Sequence, residues 1–146
     1  MRALAGAVLL ALVFGPCVAA GAARWHIDSP PSHADFGVRL LCSPAQRARR
    51  TAELAAAAVA PTAALGLAEE IYDATPGELL ALLDQHADAR SVLLVGHNPG
   101  IERLVALLVE GRSDEFRGMP PAGLAVLHLN GTLEPGNARL DAFWSP

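Results

Sequence analysis

The sequence predicts an α/β protein, a three-layer sandwich whose sheet is mostly parallel and carries an antiparallel edge. Three observations predict it. Val92-Leu93-Leu94-Val95, opening at Ser91, stops in Gly96-His97-Asn98-Pro99-Gly100 and passes directly into an amphipathic segment from Ile101 to Val109. That is the profile of a buried strand, a tight turn and a helix. Ser43-Pro44-Ala45-Gln46 and Thr75-Pro76-Gly77-Glu78 both have capping-box form, and each opens a run of good helix formers. Finally, Leu124 to Leu129 and Ala138 to Trp144 are strand-like on either side of the turn signal Asn130-Gly131. Strands alternating with helices call for crossover connections and hence parallel pairing, whereas the last two can pair as a hairpin.

With 146 residues and 52% apolar content, the chain is one domain's worth and can bury a core. All 11 basic residues are arginine, and the formal net charge is −4. No broad basic surface follows from this, so nucleic acid is not an expected partner. An anion site has to be local, assembled from a few arginines and helix ends. Cys17 and Cys42 define no disulfide framework, and no Cys/His cluster has metal-ligand spacing, so no metal or other cofactor is expected.

In chain order, residues 3–23 carry no charge and lie between Arg2 and Arg24, with an apolar centre at Ala7 to Phe14 and a tail of small residues. Residues 1–23 therefore read as signal-peptide-like, with Val18-Ala19-Ala20 as an acceptable cleavage site, or as a weak membrane anchor. The alternative is an ordinary buried segment of the fold. Residues 24–35, with Pro30-Pro31, read as a linker, and residues 36–146 as the folded domain. Phe36 to Cys42 is a strand. Ser43 is expected to cap the following helix, with Pro44 in first position and Gln46 reaching back, and the helix runs through Ala58 to a stop at Pro61. Leu65 to Tyr72 is a short apolar stretch broken by Glu69-Glu70. The Thr75 helix ends near His86. At the next helix, Asn98 is the expected cap and Pro99 the first helical residue. Gly111 to Pro121 is loop-like.

Ligands of open α/β sheets lie off the carboxyl ends of the strands. Two such ends are defined here, Cys42-Ser43-Pro44 and Gly96-His97-Asn98. His97 would stand where unpaired helix N–H groups favour an anion, although a histidine that only shapes the turn has the same sequence. Arg47 lies one turn into its helix, and helical side chains lean back toward the N-terminus. Its guanidinium can thus return to the mouth from which the helix starts, beside His97, and make a pocket for a tetrahedral anion. Arg49 and Arg50 point elsewhere and read as solvated surface. A cysteine-phosphatase loop built on Cys42 is excluded, because Ala48 stands where that loop needs its arginine, and Pro44 removes an amide from the cradle. Cys42 reads as a small apolar residue at a strand end.

Leu41-Cys42-Ser43-Pro44-Ala45-Gln46-Arg47-Ala48-Arg49-Arg50-Thr51-Ala52-Glu53 resembles the "SPxxRAxxTAE" motif of the histidine phosphatase (phosphoglycerate mutase-like) superfamily. Ile71-Tyr72-Asp73-Ala74-Thr75-Pro76 with Leu79-Leu80, then Val92 to Gly100, is similar to the SixA-type phosphohistidine phosphatases, whose second histidine stands in "VGHNPG". The resemblance runs from about Phe36 to the C-terminus. It implies that Arg47 and His97 are catalytic and, with Asn98, phosphate-binding. It also implies a metal-independent phosphoric monoester hydrolase whose nucleophilic histidine, in an Arg-His-Gly or Arg-His-Ala motif ending the first strand, passes through a phosphohistidine that water hydrolyses.

The sequence holds no Arg-His dipeptide, and Arg24-Trp25-His26 is the nearest approach. His33, His86 and His128 read as structural or exposed. Neither Glu70 nor Asp73 is fixed as general acid by any motif. The expectation is therefore a sheet lacking the family's first strand and helix, and impaired turnover. The contrasting expectation is a non-catalytic remnant that binds phosphate or a phosphoprotein. The implied partner is a phosphorylated protein or a small phosphomonoester. Membrane contact follows only if the N-terminal segment is retained. The location is cytoplasmic if that segment stems from a misread start, and exported or anchored if the leader is genuine.

Overall fold

The computed structural model describes residues 3–14, 38–59, 61–113 and 118–144. Ten elements follow one another: strand β1 (Ala3–Phe14), strand β2 (Val38–Cys42), helix α1 (Gln46–Val59), strand β3 (Leu65–Leu67), a 3₁₀ turn (Glu69–Ile71), helix α2 (Pro76–Gln85), strand β4 (Ser91–His97), helix α3 (Gly100–Glu110), and strands β5 (Leu124–Thr132) and β6 (Ala138–Trp144). The strands form one sheet in the order β3-β2-β4-β1-β5-β6. β2 pairs in parallel with β3 and β4, and β4 in parallel with β1. β1–β5 and β5–β6 are antiparallel. This is the expected mixed α/β sheet with its antiparallel edge.

The period of two along each strand divides the core between the sheet's two faces. Leu41, Val92, Leu94, Ala125 and Leu127 pack with Leu79, Leu82 and Leu83 of α2 and with Ile101, Leu104, Val105 and Leu108 of α3. Leu40, Cys42, Leu93 and Val95 face the other way, against Ala48 and Ala52 of α1. Each fully buried leucine or isoleucine in these layers contributes about 1.5–3 kcal/mol of transfer free energy. The small alanines of α1 let that helix lie close on its face of the sheet.

Three local expectations move. α1 begins at Gln46 rather than Pro44, because the Ser43 side chain is turned to another partner, described below. α3 begins at Gly100, one residue later than expected, although Asn98 Oδ1 still accepts from the Glu102 amide at 3.3 Å. Asn130-Gly131 lies inside β5, and the hairpin turns instead at Glu134–Asn137, closed by a 3.1 Å bond from the Asn137 amide to the Glu134 carbonyl. The Asn137 side chain adds bonds to the Thr132 carbonyl and hydroxyl at 3.0 and 2.9 Å, a local anchor that outweighs the Asn-Gly signal. The capping box at Thr75 is formed as expected, with Glu78 Oε2 2.8 Å from the Thr75 amide and the Glu78 amide donating to Thr75 Oγ1.

The larger correction concerns the N-terminal apolar stretch. Over Ala3–Phe14 it is a sheet strand, hydrogen-bonded to β4 on one side and β5 on the other. The expected gap at the first-strand position is therefore filled. A strand flanked on both sides, in a sheet covered on both faces, is written in unbroken apolar residues, which is also how a leader is written. The expected cleavage site at 18–20, the linker at 24–35, Cys17, His26, His33, Phe36 and the place of the family's first helix lie outside the described residues. Among the described residues no helix is long and apolar enough to cross a membrane.

Candidate functional site

Cys42↔Val95 and Phe14↔His97 are register partners, so β2, β4 and β1 end at one level. Helices α1 and α3 leave from this carboxyl edge. Gly96 permits the approach of their surroundings: a Cβ there would lie 2.8 Å from Ile71 Cγ2 and 3.0 Å from Ile101 Cδ1. The strand end can therefore pass beneath the 3₁₀ turn only without a side chain, and His97 is the first residue free to project from it.

His97 is half-buried, and its Nε2 shares a 2.7 Å hydrogen bond with Ser43 Oγ. Ser43 is fully buried at the end of β2; its amide donates to the Val95 carbonyl at 3.0 Å, and its Oγ accepts from the Ala45 amide at 3.5 Å. The Tyr72 ring meets the imidazole edge-on, with centroids 5.5 Å apart. Nδ1 of His97 is buried and finds no hydrogen-bond partner among the described residues. Burial, and then the nearby Arg47 guanidinium, hold the imidazole below its ordinary titration range. The ring is neutral at pH 7.

Beside this pair opens a cavity of about 410 Å³, lined by Arg47 from α1, Tyr72 to Pro76 ahead of α2, and His97 to Gly100 with Arg103 at the start of α3. Arg47 and His97, far apart in sequence, thus line one space. Asn98 also lines it, but its amide is committed elsewhere: Nδ2 donates to the Met119 carbonyl at 2.7 Å while Oδ1 accepts from the Glu102 amide. Asn98 ties the start of α3 to the loop before β5. Asp73 contributes the only carboxylate of the lining among the described residues, from a backbone at φ +57, a left-handed conformation that aspartate tolerates better than most residues.

Solved structures share this fold. A proposed phosphohistidine phosphatase SixA from Nakamurella multipartitia superposes with a TM-score of 0.65 at 25% identity, covering 97% of this chain and 96% of that one. A protein histidine phosphatase SixA complexed with tungstate gives 0.58 at 26% identity over 73% of this chain and 67% of its own. The chain resembles the SixA phosphohistidine phosphatases of the histidine phosphatase superfamily. A proposed SixA from Agrobacterium tumefaciens adds the same fold at TM-score 0.66, 21% identity and full coverage of this chain. No family model matches the sequence, and no curated protein does.

Within the SixA-like frame, the remaining candidates fall away from the cavity. His86 Nδ1 accepts from Arg39 Nη1 at 3.0 Å, in a cluster with Asp88 at the opposite ends of β2 and β4. His128 lies in β5, and Glu70 is absent from the lining. Cys42 is buried, its Sγ donating to the Ser43 carbonyl at 3.1 Å, and burial pushes its thiol up to about 12. Such a thiol is no nucleophile at neutral pH. Sequence reasoning missed Ser43 as the partner of His97, and missed Arg103. The first depends on β2 and β4 being neighbours, which no local pattern states. The second had a signal, an arginine in the first turn of a helix that leaves the site.

Proposed function

We propose that this SixA-like chain binds a phosphoryl group in the Arg47–His97 cavity and acts on phosphohistidine or small phosphomonoesters with impaired turnover. Arg47 supplies a guanidinium that is not engaged by any side chain among the described residues, free to take two phosphate oxygens at once. His97 supplies a neutral imidazole, which reaches a phosphate oxygen by exchanging its bond to Ser43. Asn98 contributes through the placement of the α3 N-terminus rather than through its amide. The observation that carries the reading is that Arg47 and His97, brought from α1 and β4, face one cavity.

The impairment rests on the missing Arg-His dipeptide. The family reaction needs a second histidine to take the phosphoryl group, and the cavity lining holds His97 as its one histidine among the described residues. That observation favours the second reading as well, a phosphate- or phosphoprotein-binding module without turnover. Two measurements test them, the first both together and the second one against the other. Inorganic phosphate or vanadate raises the thermal midpoint of the parent chain, and Arg47→Ala abolishes the rise; no rise in the parent overturns both readings. Hydrolysis of an aryl phosphate that is weak but lost in His97→Ala supports the impaired enzyme, and none at all supports the binding module. Robust hydrolysis lost only in His26→Ala would assign the nucleophile to His26 and overturn the impairment.

A further inference from the structure

We propose that Arg103 is a specificity-determining contact in this cavity, selecting ligands that carry a second acidic group beside the phosphoryl group. The inference rests on the reading that Arg47 and His97 hold the phosphoryl group. Arg103 is the fourth residue of α3, its amide bonded to the Pro99 carbonyl at 3.0 Å. A side chain there leans back toward the start of its helix, as Arg47 does on α1. Two helices that open on one space thus each return an arginine to it, and both arginines line the cavity.

The charge balance singles Arg103 out. Arg39, Arg50 and Arg139 are found with the carboxylates of Asp88, Glu53 and Asp141, while Arg49 and Arg90 are exposed without such a partner among the described residues and lie off the cavity. Arg103 does line the cavity, with no side-chain hydrogen bond or ion pair among the described residues, and the same holds for Arg47. With His97 neutral, two arginines against Asp73 leave the lining net positive among the described residues, in a chain of net charge −4. One dianionic phosphoryl group needs only part of this space: about 410 Å³ is within the range, about 300–1,000 Å³, that accepts small organic ligands. The remaining room has Arg103 on its wall beside Pro99 and Gly100, so a carboxylate or second phosphate attached near the phosphoryl group meets an unpaired guanidinium there.

The test compares three probes by calorimetry on the full chain: orthophosphate, glycerol phosphate as a bulky ligand with no second acid, and phosphoglycolate, which carries a carboxylate. In the parent, phosphoglycolate should bind about tenfold tighter than glycerol phosphate. Arg103→Gln should erase that ratio while leaving orthophosphate affinity within about twofold, and Arg103→Lys should restore part of it. Arg47→Gln should weaken all three probes alike. If Arg103→Gln keeps the tenfold ratio, the assignment of Arg103 is overturned and the phosphate reading stands. Failure of the parent to bind orthophosphate overturns both. Position 103 is exposed, so an unchanged thermal midpoint in the variant shows that the fold is intact.

Discussion

His97 Nε2 and Ser43 Oγ, 2.7 Å apart, tie the carboxyl end of β4 to that of β2. This bond fixes the imidazole in the plane where Tyr72 meets it, and it occupies the ring nitrogen that a ligand would use. Ser43→Ala leaves that nitrogen without its partner, next to a strand end that is wholly buried. The expected loss is about 1–3 kcal/mol, read as a lower urea midpoint. A double-mutant cycle with His97→Phe should show strong coupling between the two positions. Additive losses would mean the bond contributes nothing. Freed from Ser43, His97 should also bind phosphate no more weakly than in the parent.

The depressed titration of His97 has a defined sign. Near pH 7 the ring is neutral in both folded and unfolded chains. As pH falls below about 6.5, the unfolded chain takes up a proton that the folded chain resists, and stability is lost until the lower folded value is passed. The expected result is a decline in the urea midpoint beginning below pH 6.5, absent from His97→Gln. Glu78, held below its ordinary value by the Thr75 amide and hydroxyl, acts in a separate window. Its contribution is present above the ordinary carboxylate value and is lost as pH falls through the lower folded one. Thr75→Ala, which keeps the amide and loses only the hydroxyl, should shrink that second decline, and Glu78→Gln should remove it; both should leave the first.

Gly100 is a point of close approach: a Cβ there would lie 2.5 Å from the carbonyl oxygen of Ala74. Ala74 and Gly100 both line the cavity, so the contact sets its width. Gly100→Ala must push backbone away from backbone, at a cost of about 1–3 kcal/mol. Phosphate affinity should fall together with stability. Gly77→Ala, with open space around its Cβ, is the control. It should leave phosphate affinity unchanged.

The Cys42 thiol, raised to about 12 by burial, should resist iodoacetamide at pH 8 in the folded chain and react in urea. Carried out on a Cys17→Ser background with the site read by mass spectrometry, the experiment isolates Cys42. Rapid labelling of the folded chain would contradict the packing of β2 against α1.

Some of this molecule is plainly written in its sequence. The Thr75 capping box, the α3 stripe and β6 from Ala138 to Trp144 depend on neighbours a few residues away, and local patterns state them. The cavity-facing Arg47 and His97 were legible for a similar reason, since each stands at a strand-to-helix passage whose geometry is local. What could not be read depends on strand order. Ser43 has the spacing of a helix cap and becomes the partner of His97 only because β2 lies beside β4. Ala3–Phe14 is apolar throughout, and no periodicity separates a flanked strand from a leader. Asn130-Gly131 lost its turn to the side-chain bonds of Asn137.

The placement of β1 bears on how the chain assembles. Val8 pairs with Ser91 and Leu9 with Leu127, so β1 meets both of its neighbours only across long stretches of intervening chain. Contacts so distant in sequence slow folding and leave apolar backbone open to other partners meanwhile.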